Sequence, residues 1–280
     1  MSRCTVGRRT ELSGTGLHSD QATRVRLEPG RPGTGIVFRR LDTAERRDIP
    51  ARLSRVALTD RRTALRVGTD RVDTVEHLLA AVYASGIDDL DIELDGPEVP
   101  ILDGSFAPFV KALAEAGVRL SGGAGTAVRH LESPVDLVEG EARYRAEPCD
   151  GLVLDVELVY AEPVIGRQSA RGRVDREWFT REIAPARTFG FLAEVAQLRG
   201  RGLLAGATEA CAIVLAEDRP LNTTLRWPNE FARHKLGDLL GDLSLLGFRP
   251  RARILASRPS HRGNIAFART LAAACGLTEE

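Results

Sequence analysis

The sequence predicts an α+β protein made of two parts of similar size, and three observations carry that expectation. Period-two strand segments precede helical ones in both halves. No regular alternation of single strands and helices marks a parallel-sheet protein. A glycine-rich stretch, SGGAG at 121–125, falls between the halves as a linker, which divides the chain into residues 1–122 and 126–280.

The elements follow in order. TRVRLEP (23–29) alternates charged and apolar residues, PGRPGTG reads as loop, and GIVFRR (35–40) is a second strand. In DTVEHLLAAVYASG (73–86), Val75, Leu78, Leu79 and Val82 recur at helical spacing and Gly86 suits a C-cap. DDLDIELDG returns to period two, and SFAPFVKALAEAGV (105–118) is a second helix. Beyond the linker, VDLVEG, ARYRAEP, LVLDVELVY and ACAIVLAED (210–218) read as strands, NEFARHKLGDLLGDLSLLG (229–247) as a long helix, ARILA as a short strand, and Ile265 to Ala274 as a last helix. No residue-level repeat relates the two halves.

Composition narrows the function. The 280 residues, 43% hydrophobic and 28% charged, form a globular core and exclude a disordered or fibrous chain. Lys plus Arg equals Asp plus Glu at 39 each, so no bulk charge attracts nucleic acid or a membrane surface. No apolar run approaches the ~20 residues of a membrane span, and the N-terminus lacks a signal-peptide core. The expectation is a cytoplasmic protein without membrane insertion. Cys4, Cys149, Cys211 and Cys275 form no CxxC, which leaves reduced thiols as the default.

Two clusters carry chemistry. His234, Asp238 and Asp242 follow one another at intervals of four, so all three project from one helix face. Imidazole and carboxylate on adjacent turns suit a metal with a further carboxylate behind it, although a solvated helix face shows the same spacing. On the earlier helix Glu76 precedes His77, and neighbours about 100° apart allow one to ligate while the other reaches a water as base; an ordinary helix edge also fits. His261, in RPSHRGN, reads as a loop histidine, either surface or acid. The turn ELSGTGLHSDQ (11–21) only loosely resembles a phosphate-binding loop, and ARTFGF (186–191) places Thr188 between Arg187 and Phe189. Only Lys111 and Lys235 are lysines, against arginine everywhere else.

Together these segments resemble the zinc-dependent UDP-3-O-acyl-N-acetylglucosamine deacetylases of lipid A biosynthesis. The ordered match runs through SGTGLHS, TVEHLLAA, PEVPILDGSFAPFV, ARTFGF, RGLLAG, NEFARHKLGDLLGDL and SHRGN. The resemblance implies that His77, His234 and Asp238 bind Zn²⁺, with Fe²⁺ as the alternative in the cell. It implies Glu76 as general base, His261 as the acid that protonates the departing amine, Asp242 as its orienting carboxylate, and Thr188 and Lys235 as contacts to the oxyanion or substrate. Phe189 and Phe191 would touch substrate, and Arg258 and Arg262, flanking the acid, would suit its anionic groups.

The implied fold is two domains, each a mainly antiparallel sheet layered with helices, the helices packed face to face around the site. An insertion near 188–215, with Phe191, Leu192, Val195, Leu198, Leu203 and Leu204, would line a passage for the acyl chain. The implied partner is a small UDP-linked acylated amino sugar, with no nucleic acid, and the implied state is a monomer. Alternatives are a zinc amidase acting on another N-acyl sugar and a non-catalytic sugar-nucleotide or lipid-binding relative. The sequence departs from the family pattern at Thr208-Glu209-Ala210 and in the SHRGN loop, positions that affect pocket lining more than chemistry. Arg61 or Arg62, in DRRTALRVG, would be further contacts to a diphosphate if not simply solvated.

Overall fold

The computed structural model describes residues 2–277. Its first half runs β1 (Ser2–Val6), β2 (Thr10–Thr15), β3 (Ala22–Pro29), β4 (Ile36–Arg40) and β5 (Asp48–Pro50), then β6 (Val56–Leu58), β7 (Ala64–Val67), β8 (Asp70–Val72), α1 (Glu76–Ala84), β9 (Leu90–Leu94) and α2 (Ala107–Ala116). The second half runs β10 (Val118–Ala124), β11 (Val128–His130), β12 (Val135–Glu139), β13 (Ala142–Pro148), β14 (Leu152–Val159) and β15 (Arg167–Arg173). It continues through α3 (Arg176–Trp178) and a π-helical turn to β16 (Phe189–Phe191), α4 (Leu192–Gly200), β17 (Ile213–Leu215), α5 (Glu230–Leu243), β18 (Arg249–Ser257) and α6 (His261–Ala274).

Strand alternation is visible in burial: in β14, Leu152, Leu154, Val156 and Leu158 face the core and the residues between them do not. The first large sheet has the order β2-β3-β9-β4-β5 and the second β12-β13-β18-β14-β15, with β11 added beside β18. In the first, only β4 and β9 run parallel, and in the second, only β14 and β18 of the corresponding strands do. Both halves therefore lay down four strands, a helix, a strand placed inside the sheet, and a last helix. The topology repeats where the residues do not, because a sheet needs only its alternating pattern. The halves differ in what precedes the first helix: β6–β8 form a small sheet in one, and α3, α4 and the β16–β17 pair occupy that place in the other.

Helices α1 and α5 pack on each other, with α2 against α1 and α6 against α5. Both central helices are buried on nearly every side, as expected of helices inside a core. Close approach comes from α5 glycines: a Cβ on Gly241 would lie 2.1 Å from the Glu76 carbonyl oxygen, and one on Gly237 would lie 2.3 Å from the Phe106 ring.

Several expectations need correction. SGGAG is not a free linker, since β10 takes up its first four residues and pairs with β1. Gly122 and Gly123, at φ +88° and +78°, absorb a bulge there. His261 is not on a loop: α6 begins at His261 itself, capped by the Ser260 side chain, which accepts from Gly263 N–H at 3.1 Å. The 210–218 strand shrinks to Ile213–Leu215, and the long helix ends in a 3₁₀ turn at Ser244–Leu246 before Gly247 at φ +73°. Among the described residues no helix is long and apolar enough to cross a membrane.

Candidate active site

The α1–α5 crossing brings His77, His234 and Asp238 together, all buried, with one ligand atom from each within 4.8 Å of the others. Asp238 Oδ1 lies 3.4 Å from Nε2 of both imidazoles. The Ala186 carbonyl is 3.1 Å from His234 Nδ1, which places the proton there and leaves the Nε2 lone pair facing Asp238. Burial pushes His234 down to about 3, so it is neutral, the form that ligates. Burial opposes the charge on Asp238, but the surrounding imidazoles and Lys235 outweigh it and hold the carboxyl well below its usual range. Phe106 packs 4.8 Å from the His77 ring and 5.1 Å from that of His234, fixing both.

Glu76 is the first residue of α1, and its Oε2 accepts from Thr63 N–H at 3.0 Å. Burial raises its carboxyl above the ordinary value. Across the site, His261 Nε2 is 3.8 Å from Glu76 Oε1 and 3.8 Å from Asp238 Oδ2. His261 Nδ1 lies 2.9 Å from Asp242 Oδ2. Burial disfavours the imidazolium, yet the Asp242 and Glu76 carboxylates outweigh it and raise His261 to about 9. Asp242 thus lies behind the histidine, and the face-sharing triplet His234, Asp238 and Asp242 divides between two tasks.

These groups open into a cavity of about 840 Å³, within the size range of small-molecule sites. Thr188, Phe189, Phe191, Lys235 and Arg262 line it. Lys235 donates to Asp238 Oδ2 at 2.8 Å and lies 5.8 Å from the Phe189 ring centre. Of the apolar residues expected in the passage, Phe191, Leu198, Leu203 and Leu204 line the cavity, whereas Leu192 is 55% exposed. Arg258 is not brought in; it is exposed and donates to Glu141 at 2.8 Å, outside the lining. Arg262, at the mouth, pairs with Glu139.

The chain matches the UDP-3-O-acyl N-acetylglycosamine deacetylase family over residues 3–273. It belongs to that family. A UDP-3-O-acyl-N-acetylglucosamine deacetylase from Geobacter sp. (strain M21) is 39% identical over 92% of this chain and 84% of its own length. The enzyme of the same name from Anaeromyxobacter sp. (strain Fw109-5) is 40% identical over 96% and 88%. One from Brucella melitensis biotype 2 is 39% identical over 93% and 91%.

The residues of this family member fit a metal on their own evidence. Asp238 Oδ1 and His77 Nδ1 are buried without hydrogen-bond partners, a cost that coordination at Asp238 would relieve. Several residues escaped the sequence reading. His18 lines the cavity with its Nε2 buried and unpartnered, and burial lowers it to about 4. Its turn is no phosphate loop, because Glu98 already accepts the N–H groups of His18 and Ser19 at 3.1 and 2.8 Å. Glu98 also accepts from Thr74 Oγ1 at 2.6 Å and secures Thr74 at φ +57°, a strained setting for a β-branched residue two positions before Glu76. Arg62 is buried against Asp73, and Arg61 pairs with Glu194 on α4. The buried Glu98 lies within PEVPILDGSFAPFV, and no local pattern in the sequence marks its partners.

Proposed function

We propose that the chain hydrolyses the N-acetyl group of UDP-3-O-acyl-N-acetylglucosamine to UDP-3-O-acyl-glucosamine and acetate, committing the sugar to lipid A, with Zn²⁺ as the metal. The observation that carries this reading is the juxtaposition of Glu76 and His261, 3.8 Å apart, beside His77, His234 and Asp238. Amide hydrolysis needs an activated water, a stabilised oxyanion and a proton for a poor leaving group.

His77, His234 and Asp238 would hold the metal, which when bound supplies Lewis acidity to the attacking water and the amide carbonyl. Glu76 takes the proton from the water, and its burial keeps the carboxylate basic. Thr188 and Lys235 face the developing oxyanion, and His261, held protonated by Asp242, gives its proton to the amine. Phe191, Leu198, Leu203 and Leu204 take the acyl chain, and Phe189 and Arg262 meet the sugar-nucleotide end. A cytoplasmic protein with its parts divided at residues 122–126 belongs to the same reading and rests on the sequence observations above, and its monomeric state rests on the family resemblance.

The test is acetate release from UDP-3-O-(3-hydroxyacyl)-N-acetylglucosamine by purified protein, with metal content measured on the same sample. Turnover that chelator abolishes and Zn²⁺ restores is expected. A folded, metal-loaded but inactive protein would redirect the reading to another N-acyl sugar. The metal content of protein isolated from cells decides between Zn²⁺ and Fe²⁺.

A further inference from the structure

We propose that Thr63 is a positioning residue whose hydroxyl locks the Asp242 carboxylate, and through it the acid His261, while its backbone holds the base. The proposal rests on the catalytic roles assigned above. Thr63 is fully buried just before β7, the middle strand of the three-stranded sheet that only the first half carries. Its Oγ1 donates to Asp242 Oδ1 at 2.6 Å and is 3.4 Å from His261 Nδ1. Its N–H donates to Glu76 Oε2, and its carbonyl accepts from Val75 N–H at 3.2 Å, at the start of α1. One residue therefore touches the base, the beginning of the helix that carries it, and the carboxylate behind the acid.

The hydrogen bonding around Asp242 gives the hydroxyl its importance. Oδ2 accepts from His261 Nδ1 and from Asn264 Nδ2 at 2.8 Å. Among the described residues, the hydrogen bond from Thr63 is the one made to Oδ1. With a donor on each oxygen, the carboxylate plane cannot turn without losing a buried charge-assisted bond. Without the hydroxyl, Oδ1 is left buried and unpaired, so the carboxylate is free to rotate and carry the His261 ring with it. Thr63 does not line the cavity, so its removal acts on chemistry and not on substrate contact.

The experiment compares Zn²⁺-loaded wild type, Thr63→Val, Thr63→Ser, Asp242→Ala and the Thr63→Val/Asp242→Ala double variant. Thr63→Val is expected to lower kcat about 10- to 100-fold, the usual cost of losing a partner behind a functional group. KM is expected to stay within about twofold and metal content to be unchanged, the pattern of a lost transition-state interaction. Thr63→Ser is expected to restore most of the rate, and Thr63→Val to add little in the Asp242→Ala background. A Thr63→Val enzyme within threefold of wild type, full additivity with Asp242→Ala, or loss of metal would overturn the proposal.

A second readout does not depend on turnover: the downfield NMR signal of the His261 Nδ1 proton in its bond to Asp242. That signal should persist in Thr63→Ser and shift or vanish in Thr63→Val. An unchanged signal overturns the positioning role even if wild type releases no acetate, an outcome that would itself refute only the activity. Should Thr63→Val not fold, Thr63→Ala carries the same expectations.

Discussion

Helices α1 and α5 hold corresponding places in the two halves, each following four strands and preceding the strand set inside its sheet. Their chemistry differs. α1 brings Glu76 and His77 from its first turn, whereas α5 brings His234, Lys235, Asp238 and Asp242 along three turns. The closing helices diverge further: α6 offers His261 at its first residue, and α2 lines no part of the cavity. A repeated scaffold thus fixes where two helices cross, and unequal decoration of equivalent helices makes His261 face Glu76, the acid and base of the proposed reaction. The elements before those helices differ again, and they build the walls: the end of β6 and the turn after it on one side, and β16, α4 and the segment after it on the other.

The largest break should come from the second half. His234→Ala leaves two protein ligands, so metal and activity should both be lost; full metal occupancy measured by elemental analysis would refute the ligand role. On the first half, Glu76→Ala should keep the metal while losing about 100- to 10,000-fold in turnover, the usual worth of a base. Co-loss of metal would make Glu76 a ligand instead.

Gly241→Ala tests the crossing that joins the halves. Its Cβ would meet the Glu76 backbone, so about 1–3 kcal/mol of stability should be lost in a denaturant melt, as for overpacking. Activity should fall with it, since the carbonyl displaced belongs to Glu76, the proposed base.

The acid and base should also separate by pH. Glu76 must be ionised and its carboxyl is raised by burial, so activity falls as pH drops through a value above the ordinary 4.5. His261 must be protonated, so activity falls as pH rises through about 9. A rate flat from pH 5 to 9 would remove one of the two from its role. The smallest effect belongs to the walls: Arg61→Ala breaks an exposed pair with Glu194 across the cavity rim and should cost less than about 1 kcal/mol, with kcat nearly unchanged.

The sequence by itself determined the α+β class, most strands of the large sheets and the four helices that matter, because period-two and helical burial patterns are written in local residue order. His234, Asp238 and Asp242 were legible as one face for the same reason. The pairing of that face with Glu76 and His77 came from family resemblance, since nothing local joins helices about 150 residues apart. Local order also misplaced what depends on contacts. SGGAG reads as a linker until β1 supplies a pairing edge, and His261 reads as loop until Ser260 caps α6. Thr63, Glu98 and Asn264 were invisible as supports, because a buried hydroxyl, carboxylate or amide acquires its role only when distant donors and acceptors desolvate together. Spacing alone leaves Asp238 and Asp242 alike and the family resemblance separates them, but only tertiary structure supplies the physical reason, the burial and the partners across the helix crossing that put one at the cavity and the other against His261.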